Sequence, residues 1–293
     1  MHAHRNQAES RQRKQGNQSM KKHTNENEND APRRKTRSDK GYPQLTQRDE
    51  DTLRKIGEQT AYCFNQLQNV LARHPRSQAP NPTCLSETRT REIIERWQTL
   101  DLAAYQKIYF DTPGWIYLTR KGLSHCHLPL RFIDPCHSNL EHLYWINETR
   151  DALEETYGSR PGFQWESERQ YHVIREQFRA QKKQDPHQWV PREYRGNHLP
   201  DAVLRYRLKE DPEAYMITSA IEVELSEKTY STWEKIFLEL LSFFSSAHYY
   251  VNPGIKATLT KAVHRFQHED PLIGEPNQEE RQFIYIHDLK HRF

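Results

Sequence analysis

The sequence predicts an α/β protein, α+β overall, with two folded parts behind an unfolded tail. Three observations predict it. Apolar residues recur at helical spacing between residues 45 and 100, then give way to two strand-like runs around a proline–glycine turn. From residue 163 onward, strand-like runs alternate with amphipathic helices, the pattern of an α/β layer with a partly parallel sheet. Residues 1–41 hold almost no large apolar side chains.

That first stretch is rich in Gln, Asn, Lys, Arg and Glu and is expected to be a disordered tail, because it has too little apolar surface to offset its ordering entropy. It carries eleven Lys/Arg against five Asp/Glu; the whole chain is +3, so residues 42–293 carry −3. The basic excess sits wholly in the tail, where Arg11-Gln12-Arg13-Lys14 and Arg33-Arg34-Lys35 would attract phosphates without reading bases. A tail that serves solubility alone is the plain alternative.

The 293 residues suffice for two cores. No apolar run approaches the length that spans a bilayer, and the polar N-terminus is not expected to be a signal peptide. Cys63, Cys84, Cys126 and Cys136 form no paired framework, which fits a reduced, cytoplasmic setting. The expected division is a tail over 1–41, a first domain over 42–124, a linker over 125–137 and a second domain over 138–293.

The first domain is expected to open on a helix at Leu45-Thr46-Gln47-Arg48-Asp49. Thr46 is the N-cap there, Asp49 sits three residues on, and Leu53 and Ile56 give the apolar face. A second helix is expected over 60–73 from the spacing of Tyr62, Phe64, Leu67, Val70 and Leu71, ended by Pro75, Pro80 and Pro82. Ser86 caps a third, with Ile93, Ile94, Trp97 and Leu100 inward and Arg89, Arg91 and Arg96 outward. Strands are expected at Tyr105–Phe110 and Trp115–Leu118, joined through Asp111-Thr112-Pro113-Gly114, and Thr119–Leu123 closes the unit.

Three helices followed by a two-stranded hairpin is the order of a winged helix-turn-helix, in which the third helix enters the major groove and the hairpin lies on the backbone. On that reading double-stranded DNA is the partner. Arg89, Arg91 and Arg96 meet bases or phosphates, and Lys107, Arg120 and Lys121 meet flanking phosphates. An ordinary wet surface on a protein-contact module is the competing reading. Between the domains, His125, Cys126, His127, Cys136 and His137 are fit for zinc, but their spacing matches no common structural zinc pattern.

The second domain is expected to begin with a helix over 138–157 carrying Leu140, Leu143, Ile146, Leu153 and Tyr157. A strand at Phe163–Glu168 follows, then a basic irregular stretch, strands at 199–208 and 214–225, and a helix at Thr229–Ala247. A short strand at His248–Val251, a helix at 255–267 and a last strand at Phe283–Ile286 complete it. In the strand that includes residues 221–225, Ile221, Val223 and Leu225 fall on one face and Glu222 and Glu224 on the other. A hairpin would bring Asp201, which follows Pro200, alongside. Carboxylates crowded near a core call for a cation, and oxygen ligands suit Mg²⁺. A solvated strand face with a chance pair of glutamates is the plain alternative.

Pro200-Asp201 on one strand, Glu222-Val223-Glu224 on the next and a helix directly after resemble the core of the PD-(D/E)xK, restriction-endonuclease-like fold. More narrowly, residues 44–290 resemble the bacterial replication-relaxation family of plasmids and mobile elements. That resemblance rests on Leu45-Thr46-x-Arg48-Asp49, Leu118-Thr119-Arg120-Lys121-Gly122-Leu123, Leu140-Glu141-His142, Trp165-x-x-Glu168-Arg169, His198-x-Pro200-Asp201 and Glu222-Val223-Glu224-Leu225-Ser226-x-Lys228. It implies a winged helix ahead of a nuclease-like domain, a role in plasmid replication and DNA relaxation, and plasmid replication or mobilisation proteins as partners. It further implies Asp201 and Glu222 as holders of Mg²⁺, with Glu224 where lysine is usual, Lys228 able to return an ammonium, and Glu168 and His198 close by. No Gly-x-Ser-x-Gly elbow and no Gly-rich phosphate loop is present, so serine hydrolysis and NTP hydrolysis are not expected.

Overall fold

A left-handed residue, Thr60 (φ 87°), ends the first helix and turns the chain into a strand where the apolar spacing predicts a second helix. The computed structural model describes residues 43–77, 81, 83–135, 137–269 and 283–289. The tail over 1–41 and Cys136 lie outside them. From Pro43 on the chain forms one compact unit holding two sheets, each with its own core.

The first half runs α1 (Gln47–Gln59), β1 (Ala61–Cys63), α2 (Phe64–Arg73), α3 (Glu87–Thr99), β2 (Ala103–Gln106), β3 (Trp115–Leu118) and α4 (Arg120–His125). Thr46 and Asp49 form the expected capping box, and Ser86 caps α3. The strand order is β1-β3-β2, all antiparallel. The helix expected from residue 60 therefore starts at 64. Ala61, Tyr62 and Cys63 are all buried and pair with Tyr117, Ile116 and Trp115, and three residues are too few to show a strand's period in sequence. The strand expected over 105–110 lies earlier, since its partners on β3 run out at Gln106; Phe110 is 93 % exposed. Leu53, Leu67, Ile93, Trp97 and Ile116 fill the core, and Leu128, Leu130 and Phe132 of the following segment pack against it.

The second half runs α5 (Leu140–Tyr157), β4 (Gln164–Ser167), α6 (Glu168–Gln184), β5 (Ala202–Arg207), β6 (Met216–Glu224), α7 (Tyr230–Phe243), β7 (Ser246–Val251), α8 (Pro253–Glu269) and β8 (Phe283–Asp288). The sheet order is β4-β5-β6-β7-β8, antiparallel up to β6 and parallel beyond, which is the partly parallel sheet expected. The stretch after β4 is not irregular. It is α6, started by a Ser167–Gln170 capping box, and its interior side is hard to see because only Tyr171 and Arg175 are buried.

One sheet face packs on α7 and α8 through Trp233, Phe237, Tyr249, Leu259 and Phe266. The other packs on α5 through Trp145, Ile146, Leu153, Leu204, Ile221 and Val223. Helix α5 also serves the first half. Its Asn147 donates to the Ala61 carbonyl (2.9 Å), its Glu148 accepts from Gln66 (2.8 Å), and its Arg150, Asp151 and Glu154 form ion pairs with Glu58 and Lys55 of α1. No helix among the described residues is long and apolar enough to cross a membrane.

Candidate functional site

Ala202 on β5 pairs with Ile221 on β6 in antiparallel register. The next residues outward are Asp201 and Glu222, so the register sets them opposite each other; facing residues in such a ladder have Cα atoms about 5 Å apart. The Val223 amide donates to Asp201 Oδ2 (2.7 Å), which fixes the aspartate against the end of β6. The side chains of Asp201 and Glu222 are only 13 % and 12 % exposed. Two neighbouring β-segments thus bring their carboxylates together in a largely dehydrated position.

Each carboxylate has a basic partner. His142 on α5 lies with Nε2 3.2 Å from Asp201 Oδ2 and 2.9 Å from the Val223 carbonyl. His198, in the loop before β5, lies with Nε2 2.8 Å from Glu222 Oε1. Lys228 donates to Glu224 Oε2, while Glu224 Oε1 accepts from the amide and hydroxyl of Ser226 (3.2 and 3.1 Å). Among the described residues Asp201 Oδ1 and Glu222 Oε2 accept no hydrogen bond.

Proton affinities follow from this crowding. Burial first, and then the charge of Asp201, push the Glu222 carboxyl up to about 7, against the opposing pull of His198 and Lys228. Burial and Asp201 likewise raise the carboxyl of Glu168. Burial alone would favour neutral imidazoles at 142 and 198. Asp201 outweighs it at His142 and Glu222 at His198, and both rings hold protons to higher pH than a free histidine. Burial lowers Lys228, only partly offset by Glu222 and Asp201.

Glu168 opens α6, and its amide donates to the Asp201 carbonyl (2.9 Å). Its carboxylate has no hydrogen bond among the described residues. The neighbouring arginines donate elsewhere. Arg169 donates to the carbonyls of Gly57 (2.9 Å) and Arg131 (2.5 Å), and Arg175 to that of Asn197 (2.8 Å). A small cavity of about 90 Å³ at this point is lined by Gln59 and Thr60 from the first half and by His142, Glu168, Arg169 and Asp201 from the second. The site therefore lies where the two halves meet. Sequence reasoning did not place His142 in it. The only signal was its position within Leu140-Glu141-His142, because nothing along the chain links a lone histidine to an aspartate 59 residues later.

The six candidate DNA contacts spread differently. Arg89 and Arg91 are exposed on α3, but each is balanced within its own helix, by Glu92 (2.6 Å) and Glu87 (2.7 Å). Arg96, expected outward, turns in to Asp49 Oδ1 (2.7 Å), a carboxylate with no solvent exposure that also accepts from Trp97 Nε1 (3.2 Å). Lys107 sits over the Phe110 ring and Arg120 over Phe132 (both 5.3 Å to the centroid), and Lys121 donates to the Leu100 carbonyl at the end of α3 (2.8 Å). Of the zinc-compatible group, His125 pairs with Glu50 (2.9 Å) and burial raises the Cys126 thiol to about 11, so it stays protonated.

Among the described residues no three His, Cys, Asp or Glu side chains are grouped as an all-protein ion cage. No protein-family model, curated protein or solved structure matches this chain.

Proposed function

We propose that this chain is a DNA-binding protein of the replication-relaxation type, acting in plasmid or mobile-element replication from the cytoplasm, with a winged helix-turn-helix in its first half and a nuclease-like domain of the PD-(D/E)xK kind in its second. The observation that carries the DNA-binding reading is the first half's topology. Three helices enclose a three-stranded sheet of order β1-β3-β2, with α3 directly before the β2–β3 hairpin. That is the element order in which a recognition helix and a wing present themselves side by side to a duplex. The test is titration of a random-sequence duplex and of an origin-bearing duplex at several salt concentrations. A negative slope of log affinity against log salt supports backbone contact, and tighter binding to the origin supports base readout. Salt-independent or absent binding overturns the reading.

A second reading, Mg²⁺-dependent nicking, is favoured by one observation: Asp201 and Glu222 face each other across β5 and β6, each with one carboxylate oxygen free of hydrogen bonds among the described residues. Such a donor pair fits Mg²⁺, which keeps several waters and takes one or two protein carboxylates plus substrate phosphate oxygens, so a three-residue cage is not required. When bound, the ion would supply charge neutralisation at the phosphate and a more acidic water. The chain's own contribution is separate. The Val223 amide and His142 hold Asp201 in place, and His198 holds Glu222. His142, raised and half-exposed, can carry a proton near the site. Supercoiled plasmid carrying the origin, incubated with Mg²⁺, is expected to be nicked by the native chain and not by Asp201→Asn, with duplex binding kept. Equal nicking by both proteins, or by neither, leaves the binding role alone standing.

A further inference from the structure

A groove of about 850 Å³ lies away from the acidic site at one end of the first half. It carries arginines from three elements: Arg48 in the first turn of α1, Arg76 in the segment after α2, and Arg89 in the first turn of α3. Among the described residues no Asp or Glu lines it. Thr46 and Ser86, the N-caps of α1 and α3, also line it, so the positive ends of two thirteen-residue helices converge on the same space.

Ion pairs engage little of the charge there, although Asp49 lies near Arg48 and Asp51 near Arg76. Neither Arg48 nor Arg76 forms an ion pair among the described residues, and the Nε of Arg48 is buried without a hydrogen-bond partner. Arg89 has only its exposed pairing with Glu92, of the kind that contributes little. Burial and the nearby charges of Arg89 and Arg96 lower the affinity of Arg48 for its proton, while Asp49 opposes them. Arg91, on the same helix but outside the groove, is matched by Glu87 one turn away. The arginines without an ion pair, Arg48 and Arg76, thus lie in the groove beside the N-terminal end of α3.

We propose that this groove docks the phosphodiester backbone of duplex DNA, with Arg48 and Arg76, neither of them foreseen from the sequence, as its phosphate contacts alongside Arg89. The proposal rests on the DNA-binding reading and deepens it by saying which surface meets the backbone. Guanidinium forks suit phosphate oxygens, and unpaired ones can engage without first breaking a protein ion pair.

The test is the salt dependence of duplex binding by the full chain. Each lost phosphate contact lowers the slope of log affinity against log salt by about one. Arg48→Ala and Arg76→Ala are each expected to reduce the slope by about one and the double variant by about two. Lys261→Ala, on the exposed side of α8, controls for loss of a charge and is expected to leave it unchanged. Arg76 is exposed, so its variant reads the groove without disturbing the core, and Arg48→Lys, which keeps the charge, is expected to keep most of the slope. A native slope that persists in both alanine variants overturns the groove while leaving DNA binding intact. A native chain that does not bind duplex overturns both. Millimolar inorganic phosphate that abolishes duplex binding at constant ionic strength marks a site for the free ion and overturns backbone docking.

Discussion

Two clusters of largely buried charge draw side chains from α5, and they treat charge in opposite ways. At the junction with α1, Lys55 lies 2.6 Å from Asp151 and 2.5 Å from Glu154, and Arg150 lies 2.8 Å from Glu58 and 2.6 Å from Glu154. Burial would push Glu154 toward the neutral form, but Arg150 and Lys55 outweigh it and hold its carboxyl below the ordinary range. Arg150 is correspondingly held charged. At the sheet end the carboxyls of Glu222 and Glu168 move the other way, because burial, with the like charge of Asp201 added to it, outweighs the pull of the imidazoles. The first cluster is a fastening between the halves, in which two cations each bridge two of three carboxylates. The second keeps its acids raised by burial and like charge, an arrangement frequent at functional sites.

The sharpest way to break this comparison is to unbalance the fastening. Arg150→Ala strands Glu58 and loosens Glu154 in a position where the arginine side chain was 7 % exposed. Removing one member of a buried ion pair costs about 3–5 kcal/mol. Denaturant unfolding is expected to show a loss of that order. A loss under about 1 kcal/mol would mean that water reaches the cluster and that it fastens nothing.

A smaller effect, of opposite origin, is expected at the site. The folded-state carboxyl of Glu222 titrates near 7, above its ordinary unfolded range of about 4.3. A raised carboxyl gives stability that is fully present below the unfolded value and is lost as pH rises through the folded one. The raised imidazole of His198 acts in the same sense, losing its contribution as pH climbs past its folded value. With chelator present, the native chain should therefore lose about 2 kcal/mol relative to Glu222→Gln between pH 5 and pH 8. The unfolding free energies of both proteins at the two pH values check it. Parallel pH profiles would show that the Glu222 carboxyl is not raised and that the two clusters do not differ in kind.

What the sequence disclosed follows the reach of the forces involved. The caps at Thr46 and Ser86 were legible because the capping partners stand three residues away. The two faces of β6 were legible because alternation is local, and the coming together of Asp201 and Glu222 required only a hairpin. Strand β1 was hidden because its partners lie more than fifty residues on, and α6 because its long polar surface leaves little periodicity to read. His142 and the groove arginines were hidden for the same reason: their neighbours come from separate elements. Arg96 shows how a charge can mislead. It sits beside buried Trp97, and the carboxylate that claims it is 47 residues earlier.

That arginine gives the comparison its finest test, since α3 carries both a matched buried pair and matched exposed ones. Asp49 is wholly enclosed and is bonded to Thr46, Trp97 and Arg96 together. Arg96→Ala leaves that carboxylate with neutral donors only, which should cost about 1–3 kcal/mol, the range for a buried group deprived of a charged partner. Arg91→Ala removes an equally short pair to Glu87, but both side chains are more than half exposed, and such pairs within a helix contribute about 0.5 kcal/mol or less. Thermal unfolding of the two variants side by side measures the gap. If Arg91→Ala costs as much as Arg96→Ala, enclosure is not what separates fastening charges from surface charges in this molecule, and the contrast drawn at α5 loses its physical basis.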